Sequence, residues 1–283
     1  MNLKPYFRRM IALPSEHGAW VFLFSPLLIG LFAAGRFTVA SVWLITAALA
    51  AFLLRQPISI LVKAYSGRRP RSDLPAARFW MGIYTLIGLV ALVGLILQGH
   101  TDLLLLALPG IPVFVWHLYL VSRRAERRQP GVEIIGSGVL ALSAPAAYWV
   151  GIGEPDPTGW WLFALTWLQS AASIVYAYLR LEQRELKETP ARPTQIRMAA
   201  RALLYTTFNV SVVIILSIQS RLPQYLFIPF ALQWLETLWG TLHPAVGVKP
   251  TRIGLRQLAV SSLFTLLFIL TWPLGQSHLN LDG

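Results

Sequence analysis

Nine stretches of mostly apolar residues, each about the 20 residues needed to cross a hydrocarbon core, recur along this chain. They are Ala19–Gly35, Phe37–Leu54, Phe79–Leu97, Leu103–Val121, Ile134–Gly153, Pro157–Leu179, Ala202–Ser220, Leu222–Leu242 and Gln257–Gly275. Only the eighth carries a formal charge, Glu236, near its end. Their length and the lack of strict two-residue alternation predict helices rather than barrel strands. Hydrophobic residues make up 55% of the chain and charged residues 13%. A soluble domain averages about 25% charged, and no single core of this length hides so much apolar surface. Lipid must solvate part of it. The expected fold is therefore all-α: one integral membrane domain over residues 1–283, a bundle of nine transmembrane helices. The basic start, Lys4 to Arg9, leads into Ala19–Gly35 without an A-x-A-type cleavage site, so that stretch reads as a first span.

The placement of basic residues orients the threading. Lys and Arg fall before the first span and in the connections after the second, fourth, sixth and eighth; 22 of the 24 lie on that side. Only Arg36 and Arg221 fall on the other. The expected topology places the N-terminus in the cytoplasm and the C-terminus outside. The formal charge of +12 is then a consequence of topology, and nucleic acid is not needed to explain it. The long connections, Arg55–Arg78 and Arg180–Arg201, are expected on the cytoplasmic side. Trp149, Trp160 and Trp161 fall where an outer aromatic belt is expected.

Ionisable groups beside a membrane helix are costly and are functional candidates. Here they gather at the cytoplasmic ends of the expected spans. Glu16 and His17 precede the first, Arg55, Gln56 and Lys63 follow the second, and His117 and Glu133 flank the fourth-to-fifth connection. Arg180 and Glu182 end the sixth span, and Glu236 and His243 end the eighth. In a closed ring they converge on one vestibule. Each also has a structural reading. Arg55 and Arg180 follow the positive-inside rule, Glu16–His17 suits a helix N-terminus, His117 suits a hydrogen-bonded interface, and Asn209 suits an interhelical hydrogen bond. Pro109, Pro112, Pro145 and Pro229 predict kinks. No cysteine is present, and Walker A, G-x-G-x-x-G, H-E-x-x-H and G-x-S-x-G motifs are absent.

Leu13-Pro-Ser-Glu-His-Gly-Ala-Trp20, Ser25-Pro-Leu-Leu-Ile-Gly30 and Arg55-Gln56-Pro57 resemble the YwiC-like family of bacterial membrane proteins. The resemblance implies a multi-pass protein of the bacterial cytoplasmic membrane. Nine helices with long cytoplasmic connections after the second and sixth also resemble the UbiA superfamily of intramembrane prenyltransferases. That family carries Asp-rich magnesium motifs at these two places. Here Arg55-Gln-Pro-Ile-Ser-Ile-Leu-Val-Lys63, trailed by Arg68-Arg69-Pro70, stands at the first, and Ser173, Arg180 and Glu182 stand at the second. Arg, Gln, Ser and Lys supply few anionic oxygens, so magnesium is not expected in the usual Asp-rich mode and no cofactor is predicted.

The resemblance implies a UbiA-like protein that binds an isoprenoid or other amphiphile by an anionic or polar head at a cytoplasm-facing pocket. Metal-independent group transfer is the reaction class this allows. Arg55, Gln56, Lys63, Arg68, Arg69, Arg180, Glu182 and Glu236 are the candidate substrate-binding residues, and Glu16, His17 and His117 the candidate acids and bases. The alternative is a non-enzymatic assembly factor, scaffold or small-solute permease. Expected partners are the lipid bilayer, a hydrophobic or isoprenoid ligand and, in the non-enzymatic reading, another membrane protein.

Overall fold

The computed structural model describes residues 9–14, 17–125 and 129–274. Among them all regular structure is helical. The helices are α1 (Arg9–Ala12), α2 (His17–Ala34), α3 (Val39–Tyr65), α4 (Leu74–Leu97), α5 (Leu103–Ala107), α6 (Gly110–Arg123), α7 (Pro130–Ala141), α8 (Ser143–Ile152), α9 (Pro157–Gln183), α10 (Arg192–Ile218), α11 (Phe227–Leu242) and α12 (Pro250–Leu274). Seven helical segments of the described residues are long and apolar enough to cross a bilayer: α3, α4 with the 3-10 turn before it, α5–α6, α7–α8, α9, α10 and α12. This is an integral, multi-pass membrane protein. The first and eighth expected spans are also helical but shorter. Gly18–Ala34 falls below the spanning length, and α11 has 16 residues. At 1.5 Å per residue it extends about 24 Å, because the turn around Pro223 takes up the first residues expected of that span.

Local chemistry sets the helix starts. Thr38 and Ser41 form a reciprocal capping box on α3: Ser41 N donates to Thr38 Oγ1 at 3.3 Å and Thr38 N to Ser41 Oγ at 3.1 Å. The Asp156 side chain accepts from Thr158 N at 2.7 Å and caps α9. Gly153, at φ 100°, closes α8 in a left-handed conformation that side chains with a Cβ avoid.

The expected long connections are shorter than the sequence suggests. α3 runs on through Arg55, Gln56 and Lys63 to Tyr65, α9 reaches Gln183, and α10 begins at Arg192. Polar residues do not end a helix; they carry it out of the apolar layer with its backbone bonds intact. The expected proline effects divide in the same way. The helix breaks at Pro109, between α5 and α6, and at Leu142, three residues before Pro145. Pro112 and Pro229 sit in the first turns of α6 and α11, where no backbone donor is lost.

α2 and α8 form the centre of the bundle, and both pack against α3, α7 and α9. They run parallel. A Cβ on Gly30 would meet the Ala144 carbonyl and, at 2.9 Å, the Ala147 side chain; one on Gly151 would meet the Ala34 methyl. Small residues here allow the close backbone approach that stabilises helix pairs in lipid. α3 and α4 run antiparallel, with Gly94 against Trp43 and Gly88 against Ala50. α7–α8 and α9 also run antiparallel: Trp167 Nε1 donates to the Ile134 carbonyl at 2.9 Å, and Trp149 Nε1 to the Asp156 carbonyl at 2.8 Å. Trp149 is therefore buried in the α8–α9 turn rather than facing lipid, while Trp160 and Trp161 are exposed. The apolar core of the C-terminal half joins Leu162, Leu165, Val213, Phe230, Phe264 and Phe268. Asn209 makes its expected interhelical bond, donating to the Leu168 carbonyl at 2.9 Å.

Candidate functional site

At the arginine-rich end of the bundle, α9, α11 and α12 enclose a cavity of about 240 Å3 walled by Tyr176, Arg180, Glu236, Trp239, Arg252 and Arg256. α9 and α11 run parallel here, which brings residues about 60 positions apart in sequence side by side. The Tyr176 hydroxyl donates to Glu236 Oε1 at 2.9 Å. Arg256, from α12, grips the same carboxylate with both arms, Nε on Oε1 at 2.6 Å and Nη2 on Oε2 at 2.7 Å. Its guanidinium carbon lies 3.5 Å from the Trp239 ring centroid, a cation–π contact. On Trp239 the His243 ring also stacks, at 4.9 Å between centroids.

Arg180 is buried at 6% exposure. Its Nη1 donates to the Gly240 carbonyl at 2.7 Å, the His243 carbonyl at 2.8 Å and Gln183 Oε1 at 2.8 Å. Gln183 Nε2 adds a bond to the Gly240 carbonyl at 3.2 Å. A cation from α9 thus satisfies the C-terminal carbonyls of α11 and meets the negative end of its dipole. Gly240 makes the approach possible, since a Cβ there would collide with the Tyr176 ring and hydroxyl. The cavity lining holds three guanidinium groups, Arg180, Arg252 and Arg256, against one carboxylate, Glu236. An oxyanion suits that balance.

The lining does not suit a magnesium ion of the kind used by UbiA-type enzymes. Its only carboxylate among the described residues is held on both oxygens by Arg256, and its other charged groups are guanidinium; magnesium needs anionic oxygens.

The expected site residues fall into separate groups. Arg180 and Glu236 share the cavity; Glu182, two residues further along α9, is exposed. Arg55, Gln56 and Lys63 lie on α3, whose packing partners are α1, α2, α4, α6 and α8 rather than α11 or α12. Gln56 Nε2 donates to the Met10 carbonyl at 3.0 Å, and the Arg55 guanidinium lies 5.6 Å from the Phe52 ring centroid. Arg68 Nη1 donates to the Val121 carbonyl, tying the α3–α4 connection to α6. Arg69 pairs with Asp73 at 2.8 Å. His117 is half-buried on α6. Glu133, at the start of α7, accepts from the Tyr178 hydroxyl at 2.6 Å. Glu16 lies outside the described residues; His17 begins α2, and its side chain is likewise outside them. The α3 group and the α9–α11–α12 group are thus built on different helices, with α2 and α8 packed between α3 and α9.

Sequence reasoning missed Tyr176, Trp239, Arg252, Arg256 and Gln257 as cavity residues. One signal was present: Tyr176 with Arg180, and Glu236 with Trp239, Gly240 and His243, recur at three- and four-residue intervals and so share helix faces.

Among curated proteins no match is found, and none among solved structures. Residues 13–148 match the family model described as YwiC-like protein, a stretch that ends before α9 and so leaves the cavity outside it. Over residues 13–148, then, this integral membrane protein is similar to the YwiC-like family.

Proposed function

We propose that this protein is a UbiA-like intramembrane bundle that binds an isoprenoid or other amphiphile, seating the anionic head in the cavity between α9, α11 and α12. One observation carries the reading: three guanidinium groups and two aromatic rings wall a cavity at the arginine-rich end, with a single carboxylate among them. Guanidinium groups bind phosphate-type oxygens through charge-assisted hydrogen bonds without a metal. The cavity is smaller than the 300–1,000 Å3 or so typical of sites that enclose a whole drug-sized ligand, which fits a head group whose tail stays in lipid. Metal-independent group transfer is the reaction class compatible with such a ligand. In that reading Glu16, His17 and His117 are the acid–base candidates, and Arg55, Gln56, Lys63, Arg68 and Arg69 form a second basic surface on α3 and the turn after it. The orientation follows the basic residues: arginine-rich end in the cytoplasm, N-terminus inside and C-terminus outside a bacterial cytoplasmic membrane.

Farnesyl diphosphate binding to the detergent-purified protein, with and without EDTA, tests the proposal. The expected result is binding that EDTA leaves intact and that Arg252→Ala with Arg256→Ala weakens at least tenfold. Binding that needs a divalent ion, or that ignores both arginines, would overturn it.

A second reading has its own observation. Polar side chains continue inward from the cavity through Ser173, Gln233, Gln257 and Ser261, and beyond them Ser25 and Thr265 share a 2.6 Å hydrogen bond between α2 and α12. Such a line favours passage of a small polar solute. Solute flux into proteoliposomes, blocked by Ser261→Phe, would select the permease over the binder.

A further inference from the structure

The best-formed anion clamp in the cationic cavity is held by the protein's own carboxylate. Arg256 presents its Nε–Nη2 edge, the two-pronged face that matches a carboxylate or phosphate. Glu236 takes both prongs, at 2.6 and 2.7 Å, and the Tyr176 hydroxyl adds a third bond to its Oε1 at 2.9 Å. Tyr176, Glu236 and Arg256 all line the cavity. These donors therefore sit where an incoming oxyanion needs them.

The other two guanidinium groups offer less. Arg180 is buried, and its Nη1 is spent on the Gly240 and His243 carbonyls and Gln183 Oε1. Arg252 lies at the exposed start of α12, where water screens its charge. Arg256 is the cation able to change hands. Its side chain is 42% exposed, and its guanidinium carbon rests 3.5 Å from the Trp239 ring centroid. That cation–π contact needs no help from Glu236. When the fork turns toward a ligand, the ring still keeps the charge at the cavity wall, and Glu236 retains the Tyr176 hydroxyl.

We infer that Glu236 is a built-in competitor: its carboxylate occupies the oxyanion clamp, and a ligand's anionic head has to take Arg256 from it in order to bind. This rests on the reading of the cavity as an oxyanion site. Glu236 then lowers affinity, the reverse of a substrate-binding role. It also sets a threshold for the head group. Exchanging one carboxylate for another gains nothing, whereas a phosphate-type head brings more charge and more acceptor oxygens to the same fork.

Binding of farnesyl diphosphate and of inorganic diphosphate to the detergent-purified full chain, with EDTA present, tests the inference. Glu236→Gln keeps an acceptor for Tyr176 and removes the charge. It is expected to bind diphosphate about fivefold more tightly than the parent, or better. A gain confined to farnesyl diphosphate identifies a lipid-borne head, and one confined to inorganic diphosphate a free oxyanion. Where Glu236→Gln yields no folded protein, Glu236→Asp, with its shorter reach to Arg256, takes its place with a smaller expected gain. Removing a negative charge also strengthens anion binding through the field alone, so a second readout separates the two effects. Infrared difference spectra of the parent, recorded on adding inorganic diphosphate, are expected to show a carboxylate stretching band that shifts and that Glu236→Gln lacks. Unchanged or weaker binding by the Glu236 variants, or a carboxylate band that stays in place, overturns the competitor. The oxyanion site still stands in that case if Arg252→Ala with Arg256→Ala weakens binding. If neither diphosphate binds to the parent or to a Glu236 variant, both readings fail together.

Discussion

Glu236 on α11 and Arg256 on α12 form a two-armed ion pair, with both nitrogen–oxygen distances below 2.8 Å. The pair ties the eighth expected span to the ninth at the arginine-rich end. The carboxylate is 11% exposed and the guanidinium 42%, so solvent screens one side of the interaction. A coupling of about 1 kcal/mol is expected between them, toward the upper end for exposed pairs because the geometry is bidentate. Thermal unfolding of Glu236→Gln, Arg256→Gln and the double variant measures it. Strictly additive effects would mean that the pair contributes nothing beyond its separate contacts.

Arg180 is expected to matter for stability before it matters for any ligand. Arg180→Met leaves the Gly240 and His243 carbonyls without their cationic donor. The cost is about 2 kcal/mol or more, the scale of hydrogen bonds to charged groups. Arg180→Lys should recover little, because the shorter lysine stem does not carry its ammonium to the point where Arg180 Nη1 meets the Gly240 and His243 carbonyls and Gln183 Oε1. A lysine variant that melts with the parent protein would show that charge alone, not geometry, caps α11.

Gly240→Ala is expected to disable the cavity without touching a polar group. The new methyl would occupy space held by the Tyr176 ring. Either that ring swings away from Glu236 or α9 and α11 move apart. Loss of head-group binding in protein that still inserts and purifies is the expected readout. Unchanged binding would show that Tyr176 has room the packing does not reveal.

At the centre of the bundle, Gly30→Leu should lower the yield of folded protein sharply. Its side chain has to enter the α2–α8 contact, where even a Cβ collides with the Ala144 carbonyl. Gel filtration of the solubilised protein reports the effect. Gly18→Leu, at a position with open space around it, is the matched control and is expected to behave as the parent.

The expected threading can be checked directly. Tags at the two chain ends should be accessible from opposite faces, the N-terminal tag from the cytoplasm. Accessibility of both from one face would contradict the charge-based orientation.

The sequence determined the helices and their alternating directions. Apolar segments as long as α9 or α10 must satisfy their backbone donors and acceptors internally once lipid surrounds them, so composition alone dictates helix there. Where a helix would bend was less legible. Pro26 and Pro57 sit inside continuous helices, whereas the break between α7 and α8 falls three residues before Pro145. Neighbouring packing, not the proline itself, settles whether the freed carbonyl is tolerated.

Of the candidate site, the sequence supplied Arg180 and Glu236 as charges at spanning-helix ends. It grouped them with Arg55, Lys63 and His117, because all share one end of the bundle. It could not set α3 apart from α9, α11 and α12, nor bring Tyr176, Trp239 and Arg256 onto Glu236. Hydropathy and charge report how each helix meets lipid and water, a property of one segment at a time. Which helices touch depends on small residues such as Gly30, Gly151 and Gly240 meeting particular partners at contact distance. That complementarity exists only between helices far apart in the chain, and so only the tertiary structure decided it.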